Sequence, residues 1–474
     1  MDGKISQNVN QDKKCISEAT PATLLTLIFL SAAQLMIALD VSIVNVALPT
    51  IQLQLHFTTT GLQWIISAYA LTFGGLLLIG GRISDYLGRK RTFIYGLIIF
   101  AASSMLGGLS PSPSFLIAAR ATQGIGAAIL APSALSLIST ICEEGPERNR
   151  AFGIFSAMAV IGFVIGLLLG GILTTYLSWR WIFFVNVPIA ITIIIYAILK
   201  ITPQLKAPIV NLDLKGAITI TVAMVILVSG ISLLAIPGTS FLLGLVLITI
   251  AILMGLVFIF IERHTDYPII PLNIFLKPLL VAANAVRFLI FGSFIIMLFT
   301  MTLYLQDLQG YSAIDTGLIF GIAGVGGLIS AWLAPKIVNR LGVRSTIIYF
   351  TLLFAIAIIP LTFLNIHSSL WLVIISFIVV PFGATTCVVA STVGGTTGIK
   401  SEMQGLAAGL LNASQQIGAA IGVSTASVVE FTVRLNGGGG PIATLEGYKI
   451  AFILTIALSI IAVIIAWLLI PSDQ

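Results

Sequence analysis

The sequence predicts an all-α polytopic membrane protein, with fourteen transmembrane helices forming two pseudo-symmetric six-helix bundles and two further helices inserted between them. Three observations predict it. Of 474 residues, 58% are hydrophobic and 8% charged, against about 25% charged residues in soluble domains; the mean hydropathy is +1.12. Fourteen apolar runs, each near the roughly 20 residues that cross a hydrocarbon core of about 30 Å, follow one another through short connections. Glycine and polar landmarks recur at an offset of 254 to 256 residues. The composition excludes a soluble enzyme and a nucleic-acid-binding module.

Residues 1–21 are polar, carry Lys4, Lys13 and Lys14, and read as a cytoplasmic tail. The first run, 22–49, is too long for a signal-peptide core and has no small-residue cleavage pattern after it, so it reads as a retained helix. Runs at 61–80, 91–110, 114–139, 150–173 and 179–199 complete an amino-terminal bundle over 22–200. A linker at 201–262 holds the inserted pair, 213–233 and 238–261. The carboxyl-terminal bundle, 263–474, contains 279–305, 313–333, 344–364, 369–392, 402–429 and 447–471.

Charge sets the orientation. With a cytoplasmic amino terminus, 18 of the 23 Lys and Arg fall on the inner side, three (Arg180, Arg434, Lys449) on the outer side and two (Arg120, Arg287) within helices. The net charge of +6 is therefore a topology signal that needs no nucleic acid. An even helix count returns the carboxyl terminus to the cytoplasm.

The halves repeat. GGRISDYLGRKR at 80–91 and APKIVNRLGVRS at 334–345 occupy equivalent loops, pairing Asp85 and Gly88 with Asn339 and Gly342. Gly153, Gly162 and Gly166 recur in spacing as Gly409, Gly418 and Gly422. Gly162, Gly166, Gly170 and Gly171 form a small-residue face on which another helix backbone can pack closely. RLNGGGGP at 434–441 reads as a flexible outer loop, and no phosphate-binding Gly-Lys-Ser/Thr sequence is present.

A charge at bilayer depth costs on the order of 3 kcal/mol, which makes intramembrane ionisable residues functional candidates. Asp40 lies about nine residues before Pro49, roughly 13 Å from that end of its run. Arg120 enters the fourth run from the same side at about 9 Å depth, so the two can interact. Such a carboxylate can take and release a proton as its surroundings change. Arg287 reads as snorkelling to the headgroups, and Asp307, Asp315 and Glu430 as solvated carboxylates near outer helix ends. Gln34, Asn45, Gln123, Asn284, Asn412, Gln415 and Gln416 interrupt apolar helices, where they serve interhelical hydrogen bonds or line an aqueous cavity. The three cysteines and three histidines show no ligand spacing, so no metal is expected.

These residues resemble a known family. GGRISDYLGRKR is similar to the signature loop of the major facilitator superfamily, and RATQGIGAAILAPS at 120–133 to its fourth-helix arginine motif. LDVSIVNVALP (39–49), SWRWIFFVNVP (178–188), YLQDLQGYSAIDTGL (304–318) and QGLAAGLLNASQQIGAAIG (404–422) resemble the fourteen-helix drug:proton antiporter branch, the EmrB/QacA type. The resemblance implies proton handling at Asp40 and Arg120, and a conformational latch at Asp85, Gly88 and Arg89 with Glu143, Glu144, Arg148 and Arg150 as neighbours. It departs in the fifth helix, where the family's Gly-Pro pair, tied to the direction of exchange, is Gly166-Leu167.

The expected function is multidrug efflux: proton-coupled export of lipophilic or amphipathic compounds by alternating access, without enzymatic activity and without a cofactor. The expected partners are a small amphipathic substrate, protons and the lipid bilayer, with no nucleic acid and no obligate protein partner. The expected site is the plasma membrane. A dedicated metabolite or peptide carrier of the same fold and a non-transporting membrane sensor are the competing readings.

Overall fold

The computed structural model describes residues 21–141, 146–202, 213–234, 239–265, 268–366, 368–399 and 401–471. The described residues are helical almost throughout: α1 (Pro21–Leu55), α2 (Thr59–Leu62), α3 (Trp64–Leu87), α4 (Arg89–Gly108), α5 (Pro113–Ile141), α6 (Pro146–Tyr176), α7 (Trp181–Phe184), α8 (Asn186–Lys200), α9 (Leu214–Leu233), α10 (Thr239–His264), α11 (Pro278–Leu303), α12 (Ala313–Ile358), α13 (Leu370–Thr396), α14 (Ser401–Asn436) and α15 (Gly440–Leu469).

Thirteen helical stretches among the described residues are long and apolar enough to cross a membrane. One of them holds two crossings. The 46 residues of α12 would span about 69 Å if straight, more than twice a hydrocarbon core. Gly342 breaks it at φ 76° and ψ 168°. Gly326, before the break, packs on Ile378 of α13, and Phe350, after it, packs on Gly383 of the same helix, so the chain reverses at Gly342. The two expected runs, 313–333 and 344–364, lie on either side of that reversal, and fourteen crossings result. Gly88, the sequence-matched position of the other half, separates α3 from α4 at φ 93°. Both sites use the left-handed freedom of glycine at the equivalent turn.

Several boundaries differ from expectation: α3 runs on to Leu87 rather than 80, α14 to Asn436 rather than 429, and α15 begins at Gly440 rather than 447. The first helix does not stop at Pro49 but continues to Leu55. Proline costs a helix its own N–H bond and clashes with the preceding turn, a cost that close packing against neighbouring elements offsets here: Val46, Ala47, Leu48 and Ile51 are fully buried. The sixth run divides at Val185 into α7 and α8.

Each half is assembled by the same glycine contacts. Gly162, Gly166 and Gly170 of α6 lie on the main chain of α1 at Leu35, Leu39 and Ile43; Gly418 and Gly422 of α14 lie on α11 at Phe288 and Gly292. A Cβ added at Gly170 would stand 2.7 Å from the Ile43 carbonyl oxygen, and one at Gly422 would stand 2.7 Å from that of Gly292. The packing role of the stripe is therefore direct, and Gly171 extends it to Ala313 of α12. The halves meet where α3 packs on α14 and α6 on α12.

Even crossing number puts both ends of the chain on one face, called here the terminal face; the opposite face is distal. On the distal side one apolar core runs across both halves, joining Ile43 and Ile51 to Leu298, Leu305 and Leu445. Gln306 Nε2 also donates across to the Val46 carbonyl at 2.8 Å. The inserted helices sit outside the junction: α9 rests on α3 and α14, and α10 packs on α9. Gln63 and Ser424 both approach Ser232 of α9.

Candidate functional site: a buried carboxylate–guanidinium network

Asp40 lies fifteen residues before the end of α1, deeper than a helix ending at Pro49 implies. It is fully buried, and Arg120 of α5 is almost so. Arg120 Nη1 donates to Asp40 Oδ2 at 2.6 Å and to Gln123 Oε1 at 2.7 Å, while its Nε donates to the Ile65 carbonyl at 3.0 Å. The other carboxylate oxygen, Oδ1, accepts from Gln123 Nε2 at 2.7 Å and Asn186 Nδ2 at 2.9 Å. Ser104 Oγ accepts from both of those amides and donates to the Phe183 carbonyl at 3.1 Å. Three N–H donors converging on one carboxyl group is the arrangement of an ionised carboxylate.

Local sequence explains the convergence. Arg120 and Gln123 are three residues apart and so share a face of α5. Gly124 lets α5 close on the Tyr69 main chain of α3, and Gly126 lets it close on Phe100 of α4. The Tyr69 ring lies under the guanidinium, 4.3 Å from its carbon, which favours the cation electrostatically. Among the described residues, Tyr69 Oη and Asn186 Oδ1 are buried without a hydrogen-bond partner. These two atoms are the network's unfilled valences.

Asp40, Arg120 and Gln123 are brought together as the sequence allows. Gln123 serves the ion pair and does not line a cavity in this state. Asn186, Ser104 and Tyr69 were not among the expected site residues. Asn186 carried a readable signal, being a lone amide in the apolar run 179–199, whereas Ser104 and Tyr69 are ordinary for a membrane helix.

The remaining polar candidates divide. Asn45 Nδ2 donates to the Val41 carbonyl of its own helix. Asn284 accepts from Ser414, linking α11 to α14. Gln416 is buried against Gly74, Gln34 is half-buried and Asn412 is exposed. Gln415 Oε1 accepts from Arg287 Nε at 3.0 Å. Arg287 also donates to Thr392 Oγ1 at 2.7 Å and is buried. It therefore does not snorkel to the headgroups; neutral acceptors inside its own bundle hold it. Asp315 is exposed and closes a capping box with Ser312 at the start of α12. Glu430, by contrast, is buried, which overturns the expectation of a solvated carboxylate.

At the loop expected to latch, Arg89 Nη1 donates to the Ser136 carbonyl of α5 at 3.2 Å, and Gly88 makes the turn. The side chains of Asp85 and Arg148, with Glu143 and Glu144, lie outside the described residues. No cluster of three or more metal-ligating side chains occurs among the described residues.

The sequence profile of the Major Facilitator Superfamily matches residues 30–423. The chain is 34% identical over 465 residues to a puromycin resistance protein of Streptomyces alboniger, covering 94% of this chain and 91% of that protein. It is also 34% identical over 454 residues to a cephamycin export protein of Amycolatopsis lactamdurans, covering 94% and 92%. In fold it is similar to the crystal structure of a bacterial homolog of the human lysosomal transporter Spinster, with a TM-score of 0.66, 14% identity, and 95% and 97% coverage.

Proposed function

The chain belongs to the Major Facilitator Superfamily, and we propose that it is a proton-driven exporter of small amphipathic compounds, placed in the plasma membrane with its terminal face in the cytoplasm. As a transporter it has no enzymatic chemistry to perform, and in this reading it needs no cofactor and no obligate protein partner. Its cargo is a singly charged lipophilic cation or a neutral amphiphile taken from the cytoplasm or inner leaflet. Resistance and export in the names of its relatives support the direction.

The observation that carries the reading is the buried Asp40–Arg120 pair at the hub of five helices, α1, α3, α4, α5 and α8. A proton arriving from the outer side neutralises Asp40, removes the reason for Arg120 to hold it, and leaves Gln123 and Asn186 to bond a neutral carboxyl group. The contacts among α1, α3, α4, α5 and α8 then have two arrangements, one per protonation state, and rocking of the halves about the α3–α14 and α6–α12 contacts exposes a cavity between the halves to alternate sides. Part of the α6–α12 contact is backbone on backbone, at Gly171 against Ala313 and Gly317 against Leu167, which leaves few side chains to re-pack there as the halves rock. Asp85, Gly88 and Arg89 latch the terminal-face turn in one of the two states.

The test is efflux from cells expressing the protein and preloaded with ethidium. Energised cells extrude the dye, and a protonophore stops them while ATP is held constant. Efflux that continues after the proton gradient has collapsed would contradict the proposal.

A further inference from the structure

We propose that Glu430 is a second proton-binding site, lying in the distal seam between the halves, and that its protonation holds the distal gate closed. Glu430 stands on α14, 5% exposed, and its Oε1 accepts from the Thr300 hydroxyl of α11 at 2.6 Å. Its second oxygen has no hydrogen-bond partner among the described residues, and no Lys or Arg nitrogen lies within 4 Å of the carboxyl group.

That group lines a chamber of about 40 Å³, room for water, whose walls come from both halves: Gln52 and Leu62 from one, Leu303, Glu430 and Tyr448 from the other. Gln52, Asp307, Arg434, Thr444 and Tyr448 also line a wider distal cavity of about 600 Å³, so the chamber lies directly beneath the distal surface. The ionisable groups facing Glu430 are Asp307 from the turn after α11, Arg434 one turn along α14, Tyr448 from α15 and, at the rim of the wider cavity, His56 from the α1–α2 turn. α11 presents Thr300 and α2 presents Leu62, neither of them ionisable.

A carboxylate shut in this seam with no cation in contact is strongly disfavoured, whereas a neutral carboxyl group is not. In the closed seam Oε1 accepts from Thr300 and the proton sits on Oε2, facing the chamber. When the halves part distally, water reaches the carboxyl group and the proton returns to the distal medium, leaving a carboxylate that resists closing again. The step is the gain or loss of one proton and nothing else. Glu430 therefore gates, and its proton does not cross the membrane. Asp40, in the other half and with its own guanidinium, is a separate site.

The experiment measures the distance between spin labels on Leu53→Cys and Ile442→Cys, two exposed distal positions on opposite halves. The background replaces Cys15, Cys142 and Cys387 by Ser, and the full chain is held in lipid nanodiscs. Raising the pH from about 5.5 to about 8.5, the range over which buried carboxyl groups titrate, shifts the parent to a longer-distance population. Glu430→Gln, which imitates the protonated form and keeps the Thr300 bond, stays at the short distance throughout; Asp40→Asn keeps the shift. A parent without the shift, or a shift that survives in Glu430→Gln, would overturn the proposal. A second measurement needs no variant. A hydrophobic carbodiimide, which adds to protonated carboxyl groups, modifies Glu430 at least several-fold more at the lower pH, and modification independent of pH would also overturn it.

Discussion

The two halves of the molecule share their packing and differ in their charge. Glycines of α6 lie on α1 just as glycines of α14 lie on α11, and Gly88 and Gly342 turn the chain at matched positions. The polar contents do not repeat. Contacts at Gly166 and Gly422 match Leu39 with Gly292, which puts Ser293 where Asp40 stands; the repeat offset carries Gln123 to Phe377–Val379 and Arg120 to Ile374–Ser376. The amino-terminal half thus closes a carboxylate on a guanidinium, while the carboxyl-terminal half keeps them apart. Arg287 is held by Gln415 and Thr392, Glu430 by Thr300. The thirteen residues of α11 from Arg287 to Thr300 separate the two levels by about 20 Å. Duplication fixed the scaffold, and function occupies the positions where the copies diverge.

The most severe way to break this comparison is Arg120→Ala, which strands Asp40 as a buried charge and is expected to cost about 3–5 kcal/mol. Thermal unfolding in detergent measures it, and pairing it with Asp40→Asn in the same chain should recover much of the loss, because the two residues share one interaction. Arg287→Leu serves as the control from the other half. It breaks hydrogen bonds to neutral partners and strands no carboxylate, so a loss of about 1–3 kcal/mol is expected. Equal costs for the two arginines would remove the asymmetry.

Asn186→Ala probes the support of the pair. It withdraws one donor from Asp40 and one from Ser104 and should lower stability by about 1–2 kcal/mol, with a larger effect on dye efflux than on folding. The smallest effect sharpens the repeat. Gly88→Ala and Gly342→Ala each place a Cβ in left-handed backbone and should each cost about 1–2 kcal/mol, similar to one another in the same melting assay.

Much of the scaffold was legible because membrane crossing depends on length and apolarity, which the sequence displays directly. The glycine spacing predicted helix packing for the same reason: a missing side chain is visible without coordinates. Helix ends were less legible. Pro49 reads as a stop, yet packing carries α1 to Leu55, and 313–364 needed the φ of Gly342 to show a reversal. At the site, depth along the helices brought Asp40 and Arg120 to a similar level, but only tertiary packing brings in Ser104 and Tyr69. Arg287 and Glu430 were misplaced because sequence position gives depth in the membrane and not the direction a side chain faces.

The most direct test of Asp40 as the coupling residue is proton counting in inside-out vesicles with matched expression of the parent and Asp40→Asn. Ethidium is added to vesicles whose lumen, corresponding to the cell exterior, is acidic. The parent should accumulate the dye and release protons from the lumen in step with it, and Asp40→Asn should do neither. Substrate-driven proton release that persists in Asp40→Asn would contradict the assignment.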